Sequence, residues 1–284
     1  MPGILYIVAT PIGNLSDITP RLKATLEAVD LILAEDTRVT IKLLNHLGLK
    51  KRMISCHDGN EKSRLKMIND CSYLNQKVAL VSDAGTPLVS DPGSEIVSRA
   101  IECDMKIIPI PGASAFLLAL VASGLPCDRF VFEGFLPNKS SLLKQRLQDL
   151  RDESRTIIIY EAPHRLVKTL VAIQEILGKR KICIARELTK LHEEIIRGNI
   201  SEIIASAEAK DLKILGEYVL VLEGSKESKS ASISEVELST KIAQMLNSGA
   251  SVKDIVQNLT KEYKMKRSDV YRIALKVQAQ RKAI

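Results

Sequence analysis

The sequence predicts an α/β fold of two lobes followed by a small helical domain, and three features carry that prediction. Short aliphatic and β-branched runs alternate with amphipathic segments, the alternation restarts after Pro126, and a polar Ser/Lys stretch then precedes segments with helical periodicity alone. The 284 residues accommodate two domains of ordinary size and an appendage, and the 45% hydrophobic content supplies a core for each.

In the first series, ILYIVAT (4 to 10), LILAE (31 to 35), RMISC (52 to 56), KVALVSD (77 to 83) and KIIPI (106 to 110) read as strands. Near-continuous apolar runs of this kind belong to a largely parallel sheet covered on both faces by helices. Thr19 supplies an N-cap and Pro20 an N1 proline for RLKATLEAV, Gly48 closes TIKLLNHLG, and Asp91-Pro92 is expected to open the helix that follows. ASAFLLALVASGLP is interrupted by Gly124 and Pro126 and reads as a buried helix. No apolar run reaches the roughly 18 to 20 residues of a membrane helix.

The second series runs through RFVFEGF, an amphipathic stretch from Ser140 to Arg151, TIIIYEAP, a helix from His164 to Leu177, KICIARELT and GEYVLVLEG, with PIPGASA linking the two halves. The expected boundaries are a first α/β domain over 1–111, a second over 112–224, a linker over 225–235 and a helical domain over 236–284. In that last domain, Ser251 with Asp254 matches a capping box and Ser268 is placed to cap the final helix.

Charge is unevenly spread. The net charge is +7, and from Lys261 onward eight basic residues, among them Lys264, Lys266, Arg267 and Arg272, face only Glu262 and Asp269. A basic helical module of this kind suits a polyphosphate partner. The five cysteines are odd in number and form no CxxC pair, so they read as buried reduced thiols and no metal site is expected. The N-terminus lacks the basic region and cleavage site of a secretory signal, which places the expected location in the cytoplasm.

The chemistry-bearing residues cluster at strand ends. VSDAGTPLVSDPG (81 to 93) contains neither GxGxxG nor a Walker pattern. Asp83 stands at the carboxyl end of a strand and Gly85 permits close backbone approach, so a ligand wall and an ordinary strand-to-helix connection both remain open on the residues alone. VATPIGN (8 to 14) and AEDTR (34 to 38) end two other strands of the first half. EAPHR (161 to 165) and RELTKLHEE (186 to 194) end strands of the second half and bring Glu161, His164, Arg165, Arg186, Glu187, Lys190 and Glu193 to corresponding places, which makes a cleft between the halves plausible.

VATPIGNLSDIT, AEDTR, SDAGTPLVSDPG, PGASA, EAPHR and RELTKLHEE, in this order and spacing, resemble the small-subunit ribosomal RNA methyltransferases of the tetrapyrrole methylase superfamily over about residues 3 to 224. The resemblance implies a two-lobed tetrapyrrole-methylase-like fold, S-adenosylmethionine bound between the lobes, a homodimer, and 2'-O-methylation of a cytidine ribose in 16S rRNA. Carried over position by position, it implies cofactor contacts at Asp83, Gly85, Thr86, Pro87 and Val89, at Ser114 and Ala115, and at Ala162, with Pro11 bordering the site.

Methyl transfer from a sulfonium is an in-line displacement in which positioning alone is worth up to roughly 7 to 11 kcal/mol. A ribose hydroxyl is a poor acid, and a nearby base typically adds about 10²- to 10⁴-fold. Glu35, Asp36, His57, Glu161, Glu187 and Lys190 are candidates; Asp36, Glu161 and Glu187 are taken as the catalytic set, and Arg38, Arg165 and Arg186 as phosphate contacts. With no Trp and 4% aromatic residues, recognition by shape and phosphate on an assembled 30S particle is expected rather than base stacking. Two rivals are a methyltransferase acting on a tetrapyrrole, which needs no cationic appendage, and a non-enzymatic RNA-binding protein that has lost cofactor binding.

Overall fold

The computed structural model describes residues 3–209, 213–226, 235–263, 265 and 267–282, with the side chains of 261, 262 and 280–282 outside the description. The chain forms two compact units, one of residues up to Leu150 with Arg155–Glu223, the other of Arg151–Ser154 with the segment from Gly224.

The first lobe of the large unit is a five-stranded sheet of β1 (Ile4–Val8), β2 (Leu31–Ala34), β3 (Met53–Ser55), β4 (Lys77–Val81) and β5 (Lys106–Ile110). Its order is β3-β2-β4-β1-β5, with every pair parallel. Helices α1 (Pro20–Ala28), α2 (Thr37–Leu47), α3 (Glu61–Tyr73) and α4 (Ser94–Glu102) connect the strands. Because Val81 pairs with both Val8 and Ala34, the chain leaves β1, β2 and β4 at one edge, and Thr10, Glu35 and Asp83 emerge side by side there.

Caps mark the start of α1 and the end of α2. The Thr19 hydroxyl accepts the Leu22 N–H at 3.0 Å, and Gly48 ends α2 at φ 72°. Asp91 does not open α4, which corrects the sequence reading. That helix begins after Gly93, and the Glu61 carboxylate of α3 accepts the Glu95 and Ile96 N–H groups at 2.7 and 3.0 Å. Gly93 sits at φ 125° with the Leu80 side chain 2.6 Å from where a Cβ would be, so only glycine fits this turn. Asp91 is thereby left free to face the cleft.

The second lobe holds β6 (Phe130–Phe135), β7 (Thr156–Glu161), β8 (Lys181–Arg186), β9 (Glu194–Asn199) and β10 (Tyr218–Leu222), in the order β6-β7-β10-β8-β9. Here β6 and β7 are parallel, and β10 inserts antiparallel to both β7 and β8, making the sheet mixed. Helices α5 (Ala115–Ser123), α6 (Ser140–Asp149), α7 (Leu166–Leu177) and α8 (Ile200–Glu208) pack around it. The α/β class read from the sequence holds.

Two expectations change. Helix α5 is not wholly buried: Ala119 and Leu120 face the core while Leu117, Leu118 and Val121 are exposed, because the helix packs on the sheet along one face only. Among the cysteines, all free, Cys56, Cys71 and Cys183 are buried, but Cys103 is half-buried and Cys127 exposed. Burial pushes the Cys56 thiol up to about 11, which suits an inert core residue.

The small unit contains α9 (Glu235–Asn247), α10 (Val252–Tyr263) and α11 (Arg267–Lys282) around Leu238, Ile242, Ile255, Leu259, Val270 and Ala274. The Ser251 hydroxyl accepts the Asp254 N–H at 3.2 Å and donates to its carboxylate at 2.6 Å. Ser268 lies inside the first turn of α11 rather than ahead of it, so it is not the cap. Lys264, Lys266 and positions 227–234 of the expected linker lie outside the described residues. Among the described residues, no helix is long and apolar enough to cross a membrane.

Candidate active site

A cavity of about 320 Å³ lies at the carboxyl edge of the first sheet, bounded on its other side by the second lobe. The loop after β4 builds one wall. Gly85, at φ 86°, forms an antiparallel bridge with Thr10: the Thr10 N–H donates to Gly85 O at 2.8 Å and the Gly85 N–H to Thr10 O at 3.1 Å. The Thr86 hydroxyl donates to Ala113 O at 3.3 Å, tying the wall to the turn that precedes α5. Leu88 and Ser90 both adopt left-handed backbone, at φ 72° and 70°, which L-residues hold only where the surroundings impose it. Those surroundings include β6, since a Cβ added at Gly134 would stand 2.9 Å from the Ser90 hydroxyl. Two of the six left-handed non-glycine positions among the described residues thus lie in the loop that shapes the cavity, and two more, Glu187 and Thr189, in the turn after β8.

The lining contains Asp83, Gly85, Thr86, Val89, Ser114, Ala115 and Ala162 of the expected contacts. Pro87 does not line it. Pro11 lines a neighbouring cavity of about 280 Å³ with Gly13, Lys42 and Lys190, and the two cavities share Ile12, Asp83, Ala84 and Glu217. Ser90, within the glycine loop, lines the first cavity too, and the sequence reading missed Ile12, Asp91, Phe135, Tyr160 and Tyr218, which also line it. Tyr160 sits in the apolar run of β7 and gave no polar signal; its hydroxyl accepts the Phe116 N–H at 3.3 Å.

Charge in this lining has one sign. Glu35, Asp83, Asp91, Glu161 and Glu217 contribute carboxylates, and no Lys, Arg or His belongs to it. Burial pushes the Glu35 carboxyl upward although the Asp83 N–H donates to it at 3.2 Å, and the surrounding acids add to the rise. Burial likewise raises Asp83, partly offset by the Asp36 N–H at 2.9 Å. Asp91 is raised to about 6, by burial first and then by the charges of Glu35, Asp83 and Asp58, against a hydrogen bond from Ser82.

The three carboxylates singled out from the sequence differ sharply. Asp36 caps α2 and is chelated by Arg38, whose Nη2 lies 2.6 Å away; that hydrogen bonding holds Asp36 at about 2. Glu161 is buried, accepting the Ala162 N–H at 2.8 Å and the Thr169 hydroxyl, with Arg165 Nε at 3.3 Å. Glu187, at φ 50°, accepts from Lys190 at 2.9 Å and from the Glu217 N–H at 3.0 Å. Burial pushes the Glu187 carboxyl up, but those two donors and the Lys190 charge outweigh it and leave it below its ordinary range. Only Glu161 of the three lines the cavity.

The arginines also separate. The Arg38 side chain is 88% exposed and lines neither cavity. Arg165 turns inward to Glu161 and to Leu136 O at 2.9 Å, and Arg186 is buried against Glu194 at 2.9 Å. His57 hydrogen-bonds within its own surface turn to Gly59 and Asn60, and neither it nor His164 lines the cavity. Among the described residues no three His, Cys, Asp or Glu side chains converge as a metal site.

Comparison with known proteins follows the same lines. The sequence profile of the family described as Tetrapyrrole (Corrin/Porphyrin) Methylases matches residues 4–204. The chain is 46% identical over 278 residues to a protein of Synechocystis sp. named Ribosomal RNA small subunit methyltransferase I, covering 98% of this chain and 99% of that one. A protein of the same name from Pasteurella multocida is 42% identical, with 97% and 98% covered. Another, from Thermotoga maritima, is 48% identical over 222 residues that make up 99% of it but 78% of this chain. In solved structures, the fold matches uroporphyrin-III C-methyltransferase from Thermus thermophilus at TM-score 0.55 and 17% identity, covering 78% of this chain and 94% of that one. The same Thermus enzyme complexed with S-adenyl homocysteine matches at TM-score 0.53 and 16% identity, covering 78% and 97%.

Proposed function

The chain belongs to the tetrapyrrole methylase family, and from that premise we propose that, as an S-adenosylmethionine-dependent methyltransferase of small-subunit ribosomal RNA, it delivers the methyl group to the 2'-hydroxyl of a cytidine ribose. The observation that carries this reading is the one-signed lining of the cavity. The methyl donor brings a sulfonium and an ammonium, and a partly buried wall of carboxylates is complementary to both. The fit extends to shape, because Gly85 presents bare backbone to the cavity and Ala115 and Ala162 leave room beside it. Asp83, Gly85, Thr86, Val89, Ser114, Ala115 and Ala162 are the residues that would hold the donor. Bound there, it supplies an electrophilic methyl group whose sulfur departs as a neutral thioether.

The same charge pattern selects among acceptors. A macrocycle rimmed by carboxylates would meet Glu35, Asp83 and Asp91 with no cation in the lining, which counts against the tetrapyrrole reading. RNA phosphates are repelled equally, so a single nucleotide has to be splayed out of the strand for its ribose edge to approach. The exposed Arg38, and the exposed Arg267 and Arg272 of α11, are assigned to phosphate contacts outside the cavity. Lys264 and Lys266 are assigned the same role on sequence grounds. The inward ties of Arg165 and Arg186 assign them instead to holding the cavity wall. The basic charge of the helical unit assigns it to affinity for the particle rather than to the chemical step.

We place the reaction in the cytoplasm on the assembled 30S subunit. The homodimer is assigned to the exposed row of Leu117, Leu118 and Val121, an apolar patch of a kind that marks interaction surfaces. The test is incubation of the protein with 30S particles and methyl-labelled S-adenosylmethionine, followed by nucleoside mass spectrometry. Label in 2'-O-methylcytidine is the expected result, and label on a base atom refutes the reading.

A further inference from the structure

We propose that Tyr271, at the middle of the exposed face of α11, is a stacking platform for an unpaired base of the ribosomal RNA, with Arg267, Arg272 and Lys276 holding phosphates on either side of it. This rests on the RNA-methyltransferase reading given above and names the contact by which the helical unit grips that substrate.

Helix α11 turns Val270, Ile273 and Ala274 into the core of the helical unit, so the 3.6-residue period leaves Ser268, Tyr271, Arg272 and Leu275 on the solvent side. Tyr271 is 49% exposed and Leu275, one turn on, 43%. The other described tyrosine of this unit is engaged within it: Lys241 Nζ donates to the Tyr263 hydroxyl at 2.7 Å and stands 4.9 Å from its ring centre. The Tyr271 side chain has no hydrogen bond and no ring contact among the described residues. Its ring face and its hydroxyl are both open.

The charges around that ring identify the partner as a polyanion. At 1.5 Å of rise per residue, Arg267 lies about 6 Å before Tyr271 along the helix and Lys276 about 7.5 Å beyond it. Arg272 and Lys276 stand four residues apart, a like-charge spacing that destabilises a bare helix and becomes favourable against phosphates. Lys276 has Glu235 at 3.8 Å, while no carboxylate pairs with Arg267 or Arg272 among the described residues. A-form RNA keeps its base edges in a deep, narrow major groove, so the flat ring needs an unpaired base, which offers a π-face whatever its identity. The cations therefore supply the salt-sensitive part of the affinity and Tyr271 a part that salt leaves alone. Stacking of this kind grips the RNA without choosing the target nucleotide.

The experiment measures affinity of the full-length wild-type protein, Tyr271→Ala, Tyr271→Phe and Arg272→Ala for 30S particles and for protein-free 16S rRNA, across a series of salt concentrations. Tyr73→Ala is the control, because Tyr73 is 87% exposed on α3, outside this basic face. The expected result for Tyr271→Ala is a roughly 5- to 150-fold loss of affinity for both targets with an unchanged salt slope. Tyr271→Phe should restore the affinity, Arg272→Ala should lower the slope by roughly one, and Tyr73→Ala should bind as wild type. Wild-type affinity in Tyr271→Ala, a fall in its salt slope, or no rescue by Tyr271→Phe overturns the stacking role. A loss seen on 30S particles but absent on protein-free rRNA overturns it in favour of a ribosomal protein. The underlying reading fails separately, if the wild-type protein leaves no methyl label in the RNA of 30S particles.

Discussion

Replacing Gly85 by Val tests the cavity wall directly. At φ 86° a side chain costs about 1–2 kcal/mol, more for a β-branched one. The added Cβ has ordinary room, with Ile12 Cγ2 at 3.4 Å and Ala113 O at 3.8 Å, so the fold absorbs strain without a clash. The large unit spans a little over 200 residues, for which 1 kcal/mol corresponds to about 2–4 °C, and the melting midpoint should fall by roughly 2–8 °C. The two methyls, however, extend beside Ile12, itself part of the lining. Affinity for S-adenosylmethionine by calorimetry should therefore drop at least about tenfold, or ~1.4 kcal/mol. Gly48→Val is the control: it imposes similar strain at φ 72°, with nothing within 4 Å of its Cβ and no place in the cavity, so it should lose comparable stability and bind normally. Wild-type affinity in Gly85→Val, or equal affinity loss in both variants, refutes the assignment of this loop to the donor.

Other outcomes follow from the same geometry. Glu161→Ala removes a buried carboxylate from Arg165, Thr169 and the Ala162 N–H, and should cost about 3 kcal/mol in denaturant unfolding; less than ~1 kcal/mol would show that the network is not cohesive. Asp91 binds protons more tightly folded, at about 6, than at its ordinary 3.8, so its contribution is intact below pH 4 and lost as pH rises through 6. Asp91→Asn should accordingly stabilise the cofactor-free protein at pH 7.5 and not at pH 4, by ~1–2 kcal/mol after discounting for solvent screening, as read from paired unfolding curves. Arg267→Ala with Arg272→Ala should weaken binding to 30S particles and reduce the salt slope by roughly one per lost phosphate contact, while kcat at saturating particle is unchanged.

The first lobe was legible in the sequence because its strands are buried on both faces and read as unbroken apolar runs such as LILA and KVALV. Strand β9 was not: EIIRGN lies at a sheet edge, only partly buried, and carries no such run. Nor could local pattern reveal that β10 enters antiparallel between β7 and β8, since pairing partners so distant in sequence leave no periodic trace. The glycine loop was found by its chemistry, but Asp91 was misassigned as a cap because the group that caps α4 comes from α3. Arg165 and Arg186 were read as phosphate contacts because charge at a strand end is usually solvated; their partners, Glu161 and Glu194, turn them inward. The charge sign of the cavity emerges only when β2, β4, β7 and their loops are brought to one edge.

The most direct measurement is a crystal structure of the protein with S-adenosylmethionine or S-adenosylhomocysteine. The account predicts the ligand between the lobes, touching the loop of Asp83–Asp91, Ser114, Ala115 and Ala162, with its sulfur open toward the rim; electron density for the ligand anywhere else contradicts it.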